Sequence, residues 1–410
     1  MAKQTRYAYE GHRRIVLKPN ETQRNDGLYL YYYYDKDHKR KSISSRTIDG
    51  LRRKEAELNK ESADNIRSDK RNITVNNTHE EWLTSKNVNK HTLANYDWLY
   101  NTFVRHDFGK KKLRNVTEAD VTRLYTSLLH DKNLAVTTVD GLQTVMQQVF
   151  AYGQRQRYIS HNPCSGVMKD LKKTFGKPKK VEAFSLSQQN RFLSYLLEYD
   201  RKNNSNWYPL FATMILTGLR IGELAGLQWS DVHLDETPPR LFVMHNLVYY
   251  KDNETDEMVW QMNHPKTKAG ERDFILTQKA AEALRMQRSA HLTCEKVIDG
   301  YDDFVFVNRF GETLHQGTVN RALKRIITDA NLDALERNKR GDSIPILPAI
   351  SSHGLRKSFI TRCAESGVNL KVCAKMVGHN DYRTTMEIYT MVNDEWEKNE
   401  LEKLEEHLED

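Results

Sequence analysis

The stretch His353–Tyr389, HGLRKSFITRCAESGVNLKVCAKMVGHNDYRTTMEIY, decides how the rest of the chain is read. His353 and Arg356 stand three residues apart, so on a helix they share one face. Gly378-His379 follows, and Tyr389 comes ten residues after that histidine. Two imidazoles, a guanidinium and a phenol suit work on a phosphodiester. The arginine holds anionic oxygens through its planar fork, and the phenol serves as a nucleophile. Each piece alone has a plainer reading: an HxxR pair on a helix is usually solvated, and a tyrosine after Thr384-Thr385 usually packs.

Working outward, Thr217-Gly218-Leu219-Arg220-Ile221-Gly222-Glu223-Leu224 lies upstream, and Lys266-Thr267-Lys268-Ala269-Gly270-Glu271-Arg272 lies between. The order of these pieces resembles the tyrosine recombinases, the phage integrase family. Their pattern is an arginine in a TGLRxxEL helix start, a hairpin lysine, HxxR, GH and a late tyrosine. The layout of the N-terminal part further resembles the integrases of conjugative transposons and related phages. The resemblance implies catalytic roles for Arg220, Lys268, His353, Arg356, His379 and Tyr389. The family's K-x-G tip favours Lys268 over Lys266. Two departures stand out: the interval from His379 to Tyr389 is one residue longer than in many members, and Met391 stands where a histidine is common. The longer interval raises Tyr382 as a rival nucleophile, but three residues after His379 is too close for a separate helix to present it.

Within that resemblance each residue has a chemical task. Arg220 and Arg356 neutralise charge on the non-bridging oxygens, and His379 donates a further hydrogen bond. Glu223 steadies Arg220. The Tyr389 phenol, with an ordinary pKa of about 10, needs a base at neutral pH, and His353 is the candidate. Lys268 gives the leaving 5′ oxygen its proton. The product is a 3′-phosphotyrosyl bond and a free 5′ hydroxyl. That bond keeps the energy of the broken phosphodiester, so no cofactor is expected, neither ATP nor metal. The sequence accordingly has no GxxxxGK[ST] and no clustered carboxylates for two Mg²⁺.

Composition agrees with a polyanionic partner. The net charge is +8, and it is unevenly spread. Residues 1–71 carry 18 Lys/Arg against 11 Asp/Glu, whereas residues 394–410 carry 2 against 9, so a basic body ends in an acidic tail. No apolar run reaches the roughly 18 residues of a membrane span, and the start has no signal-peptide core, so a cytoplasmic protein is expected. Cys164, Cys294, Cys363 and Cys373 fall singly, as free thiols do in a reducing compartment. Cys363, Cys373 and His379 are too widely spaced to read as a metal site.

The fold expected is mostly α with small β-sheets (α+β), in three domains. Residues 1–72 read as a DNA-binding module of three strands (Arg13–Leu17, Leu28–Tyr34, Arg40–Ser44) and one helix, with a linker. Its basic residues Arg13, Arg14, Arg24, Lys39, Arg40 and Lys41 flank strands of a kind that fits a major groove. Residues 73–168 read as four helices around one core, with a capping signal at Thr117-x-x-Asp120, and the resemblance implies a core-binding domain there. Residues 169–182 read as a basic linker whose Lys172, Lys173, Lys177, Lys179 and Lys180 lie beside phosphates. Residues 183–393 form the catalytic domain, with Arg240–Tyr250, Met258–Asn263 and Arg272–Leu276 as one three-stranded sheet. Residues 394–410 read as an acidic helix with an apolar stripe that packs on the parent core or, as the resemblance implies, docks on a neighbouring protomer. The implied partners are double-stranded DNA at specific sites, further copies of the chain in a tetramer, and an excisionase or DNA-bending protein, with no membrane. The alternatives are a type IB-like topoisomerase and an inactive DNA-binding regulator on the same fold.

Overall fold

The computed structural model describes residues 6–10, 13–34, 39–63, 66–67, 69–176, 183–252, 255–264, 270–379 and 385–386. Lys177, Lys179, Lys180, Lys266, Lys268, Tyr382, Tyr389, Met391 and the segment 394–410 lie outside the described residues. The chain divides into two compact units, Met1–Pro178 and Lys179–Asp410. It is mostly helical with small antiparallel sheets, as its sequence pattern predicts. Among the described residues no helix is long and apolar enough to cross a membrane.

The first unit opens on a hairpin, β1 (Tyr7–Glu10) with β2 (Arg13–Val16). A three-stranded sheet follows, with β4 (Tyr29–Tyr34) between β3 (Glu21–Gln23) and β5 (Arg40–Ser45), and then helix α1 (Ile48–Ala63). Alternation along β4 sends Tyr29 and Tyr31 towards Leu51 of α1 in a small core, with Ile43 beside them. The strand expected at Arg13–Leu17 does not join this sheet; it pairs with β1, and Glu21–Gln23 takes its place. The strand that takes its place begins on a buried acid, which an apolar pattern does not reveal. Glu21 is fully buried and bonded by Arg52 Nε at 3.1 Å. Burial alone would raise its pKa, but the bonds from Arg52 and from the Lys18 amide outweigh that and hold it below the ordinary value.

The helical module of this unit comprises α2 (Val75–Thr84), α3 (Lys90–Phe103), α4 (Glu118–His130), α5 (Val136–Arg155) and α6 (Val167–Phe175) around Trp82, Tyr100, Tyr125 and Phe150. Thr117 caps α4: its hydroxyl accepts from the Asp120 amide, and the Asp120 carboxylate accepts from the Thr117 amide. Helix α6 corrects the reading of residues 169–175 as linker. Val167, Met168 and Leu171 are buried in the helical core, while the lysines occupy the other side. Lys172 pairs with Asp140 at 2.7 Å and Lys173 with Asp170 at 3.7 Å. Counting lysines hid an apolar stripe at helical spacing.

In α2, His79 is fully buried and stacked on Tyr100 at 3.6 Å, with both ring nitrogens unpartnered. Burial first, and then the charge of Arg105, pushes its pKa down to about 3. The folded chain therefore binds fewer protons here than the unfolded chain, whose histidine titrates at about 6.5. Stability from this site is complete above that pH and is lost as pH falls towards 3. His79→Phe is expected to be nearly neutral at pH 7.5 and to gain about 2 kcal/mol over wild type at pH 5. Thermal unfolding at both pH values checks it; equal acid sensitivity in both proteins would acquit His79.

The second unit runs through α7 (Leu186–Asn203), capped by Ser185, α8 (Tyr208–Thr217) and α9 (Ile221–Ala225). Strands β6 (Val232–His233), β7 (Arg240–Val243), β8 (Asn246–Lys251), β9 (Met258–Asn263) and β10 (Arg272–Ile275) follow, then α10 (Gln278–Ser289), α11 (Gln316–Lys339), α12 (Ser352–Glu365) and α13 (Leu370–Val377). The run Arg240–Tyr250 is not one strand, and the single three-stranded sheet expected here is two sheets. Strand β7 sits between β10 and β6, while β8 pairs with β9 in a separate hairpin. The break falls at Met244-His245, where His245 Nδ1 lies 3.3 Å from Asp231. Phe192, Phe211, Met214, Leu323 and Leu355 fill the core beneath α12. The Phe184 amide donates to Ser358 Oγ at 2.8 Å, fixing the start of the unit to that helix.

Candidate active site

Helices α8 and α13 both end on a glycine in the left-handed region, Gly218 at φ +68° and Gly378 at φ +64°. A helix C-terminus leaves its last carbonyls unpaired, and each needs a donor. At α13 the amides of Gly378 and His379 take the carbonyls of Lys375 and Ala374. The next three carbonyls each receive a different arginine. Arg272 Nε donates to Met376 O at 2.7 Å, Arg356 Nη2 to Val377 O at 2.6 Å, and Arg220 Nη2 to Gly378 O at 3.0 Å. The negative end of the helix dipole favours cations here. Arg356 Nη1 also donates to Gly218 O at 2.7 Å, so the ends of α8 and α13 are bridged by one guanidinium.

One carboxylate serves this cluster. Glu223, in the first turn of α9, accepts from the Arg220 amide at 2.9 Å and from Arg220 Nη1 at 2.7 Å. It also accepts both ends of the Arg272 fork, at 3.1 and 2.8 Å. Burial alone would raise the Glu223 carboxyl; the hydrogen bonds and charge of Arg272, then Arg220, outweigh it and hold the group below its ordinary value. Arg356 is 1% exposed, and among the described residues no acid bonds it. Burial first, and then the neighbouring Arg220, pushes it down to about 9, so it stays charged at neutral pH.

Both histidines face this positive cluster. His353 keeps an open side to solvent at the start of α12, yet its pKa is lowered, by partial desolvation first and then by Arg356, Arg220 and Lys357. His379 follows Gly378 directly; burial, then Arg356 and Arg220, pushes it down to about 4. Its Nδ1 lies 2.7 Å from the hydroxyl of buried Thr385. The structure thus brings Arg220, His353, Arg356 and His379 together around the end of α13. The site combines buried positive charge, neutral imidazoles and fixed N–H donors, an arrangement suited to an oxyanion or phosphate group.

A family description, the phage integrase family, matches residues 187–395, which include all six residues that the sequence pattern singles out. The chain belongs to the phage integrase family. It is therefore a tyrosine recombinase, an enzyme that cleaves and rejoins DNA. This family member is 25% identical over 389 residues to the transposase from transposon Tn916 of Enterococcus faecalis, an alignment covering 91% of each chain. It is 24% identical to a XerC-like tyrosine recombinase of Caldanaerobacter subterraneus subsp. tengcongensis, over 87% of this chain and 90% of the relative. Its fold is similar to that of the Tn1549 transposon integrase, solved with transposon right-end DNA, at a TM-score of 0.67 and 20% identity over 81% of this chain and 99% of the other. A lambda integrase tetramer bound to a Holliday junction gives a TM-score of 0.51 at 15% identity, over 90% and 94%.

In this recombinase, sequence reasoning missed Arg272 as part of the cluster and Gly378 as its keystone. The signal for Arg272 was present: it shares the inward parity of β10 with buried Phe274, and a buried arginine needs an acid. At Gly378 a Cβ would lie 2.8 Å from Arg272 Nη1 and 2.9 Å from its Cζ, on a backbone that L side chains rarely adopt. Gly378→Ala is therefore expected to cost about 1–3 kcal/mol through left-handed strain, plus whatever the displaced guanidinium loses. A calorimetric scan would read this as a lowered Tm; an unchanged Tm would mean that the chain end beyond α13 relaxes freely.

Proposed function

We propose that the chain integrates and excises a mobile element, a conjugative transposon or phage, using Arg220, Lys268, His353, Arg356, His379 and Tyr389. The observation that carries this reading is Arg356, a fully buried guanidinium bonded to two backbone carbonyls. A buried cation without a carboxylate partner is costly, and a phosphodiester supplies the missing counter-ion. Arg356 and Arg220 hold the non-bridging oxygens through N–H groups not engaged by carbonyls. Across the 2.7 Å contact between them, the tautomer proposed has the Thr385 hydroxyl donate to Nδ1, so that neutral His379 carries its proton on Nε2 and offers it to the same phosphate. His353, also biased towards the neutral form, takes the proton from the Tyr389 phenol. The phenolate oxygen then bonds to phosphorus as the bond to O5′ breaks, and O5′ takes a proton from Lys268.

The partners proposed are duplex DNA, three further copies of the chain, and an accessory excisionase or DNA-bending protein, acting in the cytoplasm. Segment 394–410 docks on a neighbouring copy in this reading. On the three-stranded sheet Arg40 lies over the Tyr32 ring at 4.1 Å, and on the separate β1–β2 hairpin Arg14 lies over Tyr7 at 3.6 Å. These cation–aromatic pairs, together with Arg13, Arg24, Lys39 and Lys41, are the proposed DNA contacts, and Arg24 would have to exchange Asp26 for a phosphate. Lys172 and Lys173 would have to exchange Asp140 and Asp170 for phosphates.

The test is covalent trapping on a nicked duplex carrying the joined ends of the element, without metal or ATP. A protein–DNA band on a denaturing gel, with the nucleotide mapped to Tyr389 by peptide mass spectrometry, is the expected result. Tight binding without a band would favour the inactive regulator. Mapping to Tyr382 would reassign the nucleophile.

A further inference from the structure

Arg272 is the residue of the arginine cluster for which the family's motif order has no task. It lies at the start of β10 with a side chain 2% exposed, and its long-range bonds, to Glu223 and to Met376 O, point at the site. Its fork holds Glu223, whose other contacts are the amide and Nη1 of Arg220. Its Nε holds Met376 O, the carbonyl immediately before the two that anchor Arg356 and Arg220. Its Nη1 also reaches back to Gly270 O at 3.1 Å. Arg220 is thereby gripped twice, through Glu223 and through Gly378 O, and Arg272 lies behind both grips.

We propose that Arg272 is a positioning residue for DNA cleavage, one that sets the orientation of Arg220 and Arg356 towards the scissile phosphate without touching it. This rests on the reading of those arginines as phosphate ligands. Bidentate geometry fixes the Glu223 carboxylate in rotation as well as place, which a single ammonium does not do. With the carboxylate fixed, Glu223 Oε1 holds Arg220 Nη1 and the Gly378 carbonyl holds Nη2, which leaves Arg220 one direction in which to present its remaining N–H groups. Loss of that order costs catalysis where negative charge must be neutralised, and much less where there is none.

The experiment compares two nicked duplexes, one with a natural scissile phosphodiester and one with a methylphosphonate there, whose neutral phosphorus centre needs little help from guanidinium groups. Arg272→Lys keeps the positive charge beside Glu223 but not the fork. It is expected to slow adduct formation on the phosphodiester by about 10²-fold, with duplex binding retained, and on the methylphosphonate by about threefold or less. Equal slowing on both substrates, or no slowing on either, overturns the proposal and leaves Arg272 a purely structural residue. Should Arg272→Lys fail to fold, Arg272→Gln decides: it leaves Glu223 and its bonds to Arg220 in place but removes the fork, and it must show the same selectivity for the charged substrate. The two ideas fail separately. If wild type forms no adduct on the natural duplex, the recombination reading itself falls; if it does and the variants show no selectivity, only the role of Arg272 falls.

Discussion

Arg356→Lys is expected to slow covalent adduct formation by about 10²–10³-fold, the cost of one lost donor in a preorganised anion site. The substitution keeps the charge and removes the fork. In the native chain one planar group donates to Gly218 O and Val377 O and still has N–H groups left for a substrate. An ammonium has three donors on a single atom, and a lysine holding both carbonyls has little to offer a phosphate. Duplex binding, which depends on many contacts over a long surface, should change far less than the cleavage step. Single-turnover trapping at saturating protein separates the two effects. A variant that cleaves at the wild-type rate would mean that Arg356 serves only to splice the ends of α8 and α13.

Much of this site was legible because its chemistry is written in local spacing. The i, i+3 relation of His353 and Arg356, the Gly218 that ends α8 just before Arg220, and the Gly378 that ends α13 just before His379 are short-range features. Helix starts with a side-chain cap, at Thr117 and Ser185, were legible for the same reason. What sequence concealed was pairing at a distance. No glycine or proline stands between Leu241 and Leu247, so no such turn residue marks the break between β7 and β8. That break follows from tertiary contacts: Gly226 packs so closely that an added Cβ would lie 2.9 Å from the Leu247 amide, and His245 is drawn to Asp231. Strand β3 was missed because its first residue is a buried glutamate whose arginine lies 31 positions away, and Arg272 because its acid lies 49 positions away. Parity along β10 turns Arg272 inward, but nothing local names the partner of a buried ion pair over such separations.

Glu223→Ala is expected to be the most destabilising change in the second unit, by about 3–5 kcal/mol, because it leaves a buried cation without its partner. Arg272 would keep only the carbonyls of Met376 and Gly270, neither of which carries a full negative charge. Glu223→Gln retains one acceptor oxygen and should lose less. The sign of the pH dependence follows from the lowered Glu223 pKa. The carboxylate's contribution is complete above the unfolded value of about 4.3 and is lost as pH falls through the lower folded value, so wild type and Glu223→Ala should converge in acid. Because two compact units need not unfold together, the calorimetric transition of the second unit must be followed, with hydrogen exchange in α12 and α13 to assign it. The comparison with Arg356→Lys is the sharper part. If the three carbonyls at the end of α13 are held mainly by an Arg272–Glu223 frame, the first substitution loses stability and catalysis together, whereas the second loses catalysis with little change in Tm. Equal Tm values in both variants would put the frame elsewhere, in the glycine turns themselves.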